Sequence, residues 1–503
     1  MIENLTKKYW KLAAFLFVFA AALYSVFMSE QLTNNLDGYW QQEYYVGNNW
    51  EFTCGRWFIV VLDKLLLGVH IDPLVSLVSI VLFVLGFVLA LDLFDIKSGL
   101  PAFLCGAIFL SSAPVLSILG YKFCSSHYAL SFFLSVLAMY LVGKVNAKLW
   151  PIIAGGVLLC LSLGIYQAFL GTAAVVAFFY IISEIFSGKS FGDSFKKALR
   201  LLGTIILGGV LYTIVTNIVL KVTDLGLTDF HGASEVGVGS IFLSLLEVVG
   251  GMYSFIWEAS YINILDNNGI DLLIKLFVAV VVIYLFVNIF KKDRKNAVLF
   301  AVLVALLPVA ADAVLIISRE TEPQIHMSLA VYMILPFLIL IAMKEIDVAK
   351  LVRGLVIAFV VLIIYGNSMQ VIVDQYAMLE GKKTMLTFAN MVVSDLEDMG
   401  ALSPDIEYFI IGKPYSNGLY YKNELQDRAL GYANVGDFIL DEIGMHAYYD
   451  GLFRKTLGLN MNISRDYYED KAYSEYLADM PSFPNEGYIV KWDNYVIIKM
   501  SEP

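Results

Sequence analysis

Asp37 and Arg56 are the first residues whose type and place suggest chemistry. Asp37 follows the first long apolar run and opens the stretch Asp37-Gly38-Tyr39-Trp40. A carboxylate near membrane depth is costly and usually serves function. Its competing use is as a helix cap. The position, beside aromatics in a chain poor in charge, favours function. Glu43 stands about one and a half helical turns further on, where a wet polar face is the simpler reading. Arg56, in Cys54-Gly55-Arg56-Trp57, carries a planar fork of donors that can hold a phosphate with two hydrogen bonds. Its plainer use is as an anchor reaching to the interface. Asp63 and Lys64 read as interfacial pairing partners. Tyr166-Gln167 falls between two apolar runs, each barely long enough to cross a bilayer. That turn is expected to sink below the surface, where a phenol and an amide must find partners. Lining a polar cavity, where they would suit sugar hydroxyls, and bonding helix to helix weigh about evenly.

These residues need elements to hold them, and composition says which. The 503-residue chain is 59% hydrophobic and 16% charged, with a mean hydropathy of +0.72. Soluble domains are roughly 45–50% apolar and about 25% charged. An ordinary soluble enzyme, a disordered chain and a disulfide scaffold are excluded, and a polytopic membrane protein remains. The net charge of −11 argues against nucleic acid as a partner. Residues 374–503 carry a net −10 and residues 1–373 a net −1. The chain therefore divides into a membrane body, 1–373, and an acidic water-soluble tail, 374–503.

About eleven spans are expected in the body: 12–28, 72–92, 99–119, 126–143, 150–166, 168–186, 200–220, 271–290, 297–317, 327–343 and 351–369. Alternate loops hold Lys97, then Lys144 and Lys148, then Lys189 to Arg200, then Lys291 to Lys295, then Lys344 to Arg353. The loops between them hold far fewer basic residues, and the positive-inside rule places the N-terminus in the cytoplasm. An odd span count then puts the tail outside. Ile241–Leu265 reads as an amphipathic or re-entrant helix on the outer face. Residues 29–70 hold Trp40, Tyr44, Tyr45, Trp50 and Trp57, a belt suited to the lipid–water boundary. Two interfacial helices, 38–46 and 50–68, are expected there. Gly155-Gly156 marks close packing between spans. The four cysteines show no metal spacing, and a Cys54–Cys124 disulfide is less favoured than two free thiols. In the tail, Asp405–Gly412 reads as a strand and turn, residues 488–492 and 495–499 as a hairpin, and Lys383–Met399 as a helix. A small α/β or α+β domain follows.

An acid after the first span, interfacial aromatic helices and Gly-Arg-Trp some 19 residues beyond that acid resemble the bacterial glucosyl transferase II family. Ser162-Leu163-Gly164-Ile165-Tyr166-Gln167-Ala168 is similar to that family's Tyr-Gln step. The Pro-rich turn after Met480 and the hairpin to Lys499 resemble its C-terminal ending. That family often has a second acid directly after the first, where this chain has Gly38. No DxD pair remains to argue for a metal.

The resemblance implies a polytopic enzyme of GT-C type. It would take a hexose, glucose by the family's name alone, from a polyprenyl-phosphate donor on the outer face of a bacterial plasma membrane. The acceptor would be a surface glycan such as an O-antigen, or a wall polymer of teichoic type. On that reading Asp37 is the base, with Glu43 a second carboxylate, and the displacement inverts the anomeric carbon. Positive groups aimed at the departing phosphate would lower the barrier. Arg56, Lys122 in the turn Gly120–His127, Arg319 and His326 are the candidates. The competing use of Arg319 is a salt bridge to Glu320 or Glu322, and the phosphate role is slightly favoured over it. Tyr166, Gln167 and Trp40 are candidates to meet sugar. His127 and His326 lack HxxxH or HExxH partners, so no zinc site is expected, and no nucleotide loop or other cofactor motif is present. A transporter or flippase of lipid-linked saccharide is the alternative; it would favour internal repeats and mid-membrane polar groups.

Overall fold

The computed structural model describes residues 2–33, 38, 41, 43–145, 148–228, 249–251, 253, 268–316, 324–344, 350–412, 424–433, 442–464, 477, 479–492 and 494–501. The helices are α1 (Ile2–Leu23), α2 (Ser25–Ser29), α3 (Asn49–Thr53), α4 (Trp57–Leu65), α5 (Leu74–Leu93), α6 (Leu100–Leu110), α7 (Ala113–Gly120), α8 (Ser125–Lys144), α9 (Trp150–Ile165), α10 (Phe169–Phe186), α11 (Phe191–Thr223), α12 (Asn268–Lys292), α13 (Arg294–Ala311), α14 (Leu329–Ala342), α15 (Lys350–Asp398) and α16 (Glu442–Tyr449). The strands are β1 (Glu407–Ile411), β2 (Asn462–Ile463), β3 (Ile489–Trp492) and β4 (Tyr495–Lys499).

Among the described residues, eight helical segments are long and apolar enough to cross a membrane, or nine if the bent pair α6 and α7 counts as one span. These match nine of the eleven expected spans. The other two are helices that fall short for visible reasons. α1 carries Lys7, Lys8 and Lys11 within its length, and α9 has only 16 residues. The bend of 48° between α6 and α7 follows from Ser111 and Ser112, with Pro114 in the next turn. Proline cannot donate to the helix ladder. Ser111 Oγ and Ser112 Oγ donate back to the carbonyls of Ala107 and Phe109, both at 2.7 Å.

Small residues set the closest helix contacts. A Cβ on Gly156 would stand 2.8 Å from Leu207, one on Gly155 3.1 Å from the Ala138 carbonyl, and one on Gly208 2.8 Å from Leu159. Here α9 is clamped between α8 and α11, as the Gly155-Gly156 pair suggested. At Gly171 a Cβ would lie 2.1 Å from the Ala311 carbonyl, so α10 and α13 touch backbone to backbone.

The basic loops meet at one end of the bundle. Lys8 and Lys144 both reach Asp92, at 3.0 and 3.1 Å. Arg200 donates to the carbonyls of Val145 and Lys148. Lys197 pairs with Glu184, Lys344 donates to Ser183 and Ser187, and Lys292 donates to the Phe186 carbonyl. Alternate loops therefore share an end, as the charge pattern requires.

The opposite end departs from the two expected interfacial helices. Tyr44 pairs with Val69 in an antiparallel bridge, and Tyr45 N donates to the Gly68 carbonyl, so the segment expected to be helical to residue 46 is extended at its end. The helix expected over 50–68 is two, α3 and α4. Gly55 breaks it with φ +72°, and Leu67 and Gly68 end it with φ of +59° and +65°. Asn48 and Glu51 form a capping box at the start of α3. Ile241–Leu265 lies almost wholly outside the described residues.

The longest element is α15, with 49 residues. At 1.5 Å per residue it is about 70 Å long. The expected boundary at 373/374 falls inside it, and the helix expected over Lys383–Met399 is its last third. Met378 still packs in the body's core, whereas Met385 begins the core of the tail. The tail's sheet has the order β2-β1-β4-β3. β1 runs parallel to β2 and β4, and β3–β4 is the expected hairpin. One tail segment returns to the body: Tyr432 OH donates to Asp374 at 2.6 Å, Leu430 N at 3.0 Å, and Tyr432 and Ala433 pack in the body's core.

Candidate functional site

The end opposite the basic loops brings together four of the residues singled out from the sequence. The break at Gly55 leaves Arg56 at the start of α4. Its guanidinium carbon lies 4.9 Å from the centre of the Tyr166 ring, a cation–π contact. Tyr166 OH meets His326 Nε2 at 2.9 Å. Gln167 donates through Nε2 to the Cys54 carbonyl at 2.9 Å and to Tyr212 OH at 2.7 Å. A Cβ at Gly55 would come within 2.3 Å of Tyr212 OH, so only glycine fits the crossing. Tyr166 is buried and Gln167 half-buried, and their polar groups are answered by other elements, so the turn knits α3, α4, α10 and α11 into one corner.

Two tyrosines that the sequence reading passed over complete an aromatic wall. Tyr128 stacks on Tyr166 at 4.6 Å and 15°, and Tyr121 lies 4.6 Å from the His326 ring. The signal was present: Tyr121 and Tyr128 flank Lys122 seven residues apart, two helical turns. The wall runs Tyr121, His326, Tyr166, Tyr128, with Arg56 at its edge.

Arg56 is the least satisfied member. Its Nε is buried and without a hydrogen-bond partner. Among the described residues no carboxylate pairs with it, so the salt bridge that usually neutralises a half-buried arginine is missing.

Lys122 and Glu43 form a second group. Lys122 is 3% exposed, donates to Gln31 Oε1 at 3.2 Å and lies 3.9 Å from Glu43. Lys122 joins the first group only through its neighbour Tyr121. Glu43 is half exposed and faces that cation, which suits charge balance. Asp37, Trp40 and Arg319 lie outside the described residues. None of the four cysteines, all of them among the described residues, is in a disulfide.

A further carboxylate appears at this end. Asp312 caps α13 just past the end of its span, is 3% exposed, and has one carboxylate oxygen, Oδ2, with no partner. Burial pushes its pKa up to about 7. The contact of Gly171 with Ala311 places it at the end of the bundle that holds Tyr166 and Gln167. Its sequence, Ala-Ala-Asp-Ala inside an apolar run, carried no motif.

The arrangement offers a guanidinium with no carboxylate partner among the described residues, an aromatic wall, and a buried carboxylate, all at one end of a helical membrane body. Such a set can bind an anion beside a ring-shaped polar molecule. No curated protein and no solved structure matches the chain. The model of the family described as Glucosyl transferase GtrII matches residues 31–367, about two thirds of the chain and every residue of the wall. The chain therefore belongs to the glucosyl transferase GtrII family and is a membrane glycosyltransferase.

Proposed function

We propose that the enzyme transfers a hexose, glucose by family, from a polyprenyl-phosphate donor to a surface glycan or wall polymer on the outer face of a bacterial plasma membrane. The observation that carries this reading is Arg56, a guanidinium with no carboxylate partner among the described residues, held against Tyr166. A fork of fixed donors suits a phosphate monoester leaving group, and a tyrosine wall suits the sugar attached to it. A nucleotide-sugar donor would need no site at membrane depth, whereas a lipid-linked one does.

In the proposed step an acceptor hydroxyl oxygen attacks the anomeric carbon from the face opposite the phosphate. The bond from that carbon to the phosphate oxygen breaks, polyprenyl phosphate leaves, and the sugar inverts. Asp37 takes the hydroxyl proton, with Asp312 as a second candidate. Arg56 meets the charge developing on phosphate, and His326 and Lys122 line the approach. Arg319 keeps the same assigned role. We assign Glu43 to balancing Lys122. The basic loops would face the cytoplasm and the tail the outside, where it is suited to the acceptor.

The test is release of polyprenyl phosphate from polyprenyl-phosphate glucose by purified protein with cell-envelope glycan present. The native chain should release it, and Asp37→Asn should fall by about 100-fold or more. Equal release by both would move the base to Asp312. No release with any hexose by folded protein would overturn the donor assignment.

A further inference from the structure

Three side chains away from the aromatic wall converge where no functional residue was expected. Asp63 on α4, His70 in the turn after it, and His127 in the first turn of α8 each offer one ligand atom, all within 4.8 Å of one another. They are 0%, 1% and 1% exposed. Asp63 Oδ1 stands 3.3 Å from His70 Nε2 and 3.4 Å from His127 Nε2. The two rings meet edge to face at 5.5 Å.

These contacts are poor hydrogen bonds. Asp63 Oδ1 and both ring nitrogens of His127 have no hydrogen-bond partner, although all are buried. Charge-assisted pairs normally close to about 2.7–2.9 Å. The two separations from Asp63 Oδ1, 3.3 and 3.4 Å, instead equal the edge of a coordination shell. Bonds of about 2.0–2.1 Å at a tetrahedral angle place neighbouring ligand atoms about 3.3–3.4 Å apart. The other carboxylate oxygen accepts from Gly47 N at 2.8 Å, which fixes the direction of Oδ1 in the manner of an outer contact to a metal ligand. A Cβ at Gly47 would lie 3.3 Å from that oxygen. His70 Nε2 also hydrogen-bonds to the Tyr45 carbonyl at 3.2 Å, a bond the ring gives up when its Nε2 lone pair takes an ion, which leaves that oxygen at the rim.

We propose that Asp63, His70 and His127 bind a divalent transition-metal ion. Two imidazoles and one carboxylate form a set that suits zinc better than magnesium or calcium, which prefer oxygen alone. The fourth position falls to the Tyr45 carbonyl or to water. The ion would tie α4 and the turn after it to α8, and so pin the loop to the bundle. Asp63 is seven residues beyond Arg56, about two turns along α4. The ion would thereby brace the helix that carries Arg56 at its start. Spacing along the chain gave no hint of it: His70 and His127 stand 57 residues apart, and the argument against zinc from missing HxxxH text considered only His127 and His326.

The experiment uses full-length protein purified in detergent without chelator. Elemental analysis should find about one zinc per chain. After stripping with a chelator, added Zn2+ should raise the melting temperature, and added Co2+ should give the intense visible bands of four-coordinate cobalt. Co2+ affinity should fall more than about 100-fold in His127→Gln and in Asp63→Asn, while Arg56→Ala keeps the native spectrum. A folded native chain that carries no metal as purified and gives no Co2+ bands would overturn the proposal, whatever the variants do. So would a His127→Gln protein that binds Co2+ as the native chain does. Neither readout depends on the sugar donor.

Discussion

The two ends of the helical bundle hold similar residues and treat them differently. At the basic end Lys8 and Lys144 share Asp92, which also accepts from Tyr140, and Lys197 meets both Glu184 and Tyr180. Lys292 and Lys344 find carbonyl and hydroxyl partners. At the opposite end Arg56 Nε, Asp63 Oδ1, Asp312 Oδ2 and both nitrogens of His127 are buried with no partner. Nearly all buried polar groups in proteins are answered, so a cluster of unanswered ones calls for an explanation. At the basic end the unanswered atoms are neutral, Ser194 Oγ and Asn296 Oδ1, and the charged side chains named above are paired. At the opposite end the unanswered atoms include those of titratable and charged side chains. Where charges are already paired, they hold helices together, and where they are withheld from one another, they are available for chemistry.

The strongest way to break this contrast is to remove one charge from each end. Arg56→Ala should lower kcat/KM for polyprenyl-phosphate sugar by about 10²–10³-fold, the usual scale for one preorganised donor to a developing charge. Its melting temperature should move little, because no carboxylate among the described residues is orphaned and only the contact with the Tyr166 ring is lost. Lys197→Ala should do the reverse, keeping kcat/KM within about twofold while lowering the melting temperature, since Glu184 is left half buried without its cation. Equal kinetic losses in both would show that the two ends do not differ.

Asp312 sharpens the comparison through pH. With its pKa at about 7, it is ionised only above neutrality. If it serves as base, the rate should rise through about pH 7, and Asp312→Asn should lose that limb, with a fall of about tenfold or more at pH 8. The stability sign is opposite. The folded chain binds the Asp312 proton more tightly than the unfolded chain, whose carboxyl ionises near 3.8. Its contribution is therefore lost as pH rises from about 4 to about 7. Asp312→Asn should melt above the native protein at pH 8, with the gap closing toward pH 4. A gap independent of pH would mean the carboxyl is not the titrating group.

The smallest effect belongs to the basic end. Asp92→Asn removes the partner of two lysines that are each about one third exposed. Partly solvated pairs of this kind contribute about 1 kcal/mol or less. A small drop in melting temperature with unchanged kcat is expected from differential scanning fluorimetry and steady-state rates.

Much of this was legible in the sequence, and the limits are physical. Spans announce themselves by length and hydropathy, and the lysine loops sort themselves by end. Tyr166 and Gln167 stood out because two short spans force their turn inward, and Arg56 because charge is rare in its surroundings. Tyr128 was hidden because an aromatic within apolar text looks like core until its neighbour is known. Gly55 was missed as a helix break because aromatics stand on both sides of it, Trp50 and Phe52 before and Trp57 and Phe58 after, and the Tyr212 hydroxyl that its bare Cα accommodates at φ +72° lies far along the chain. Asp63 was read as an ordinary pairing residue, His70 drew no remark, and His127 was set aside for want of an HxxxH or HExxH partner. Their convergence is a property of three elements folded together.

The uninterrupted helix α15 has a mechanical consequence. Its first part belongs to the body's core and its last part to the tail's, with the change falling between Met378 and Met385. A helix advances about 1.5 Å and turns about 100° per residue. One residue inserted after Met378 would lift the tail very little but swing it through more than a quarter of a circle, away from the seat where Tyr432 meets Asp374. Four inserted residues would bring the heading back to within about 40°. The direction in which the tail faces is thus indexed by residue count, like teeth on a gear.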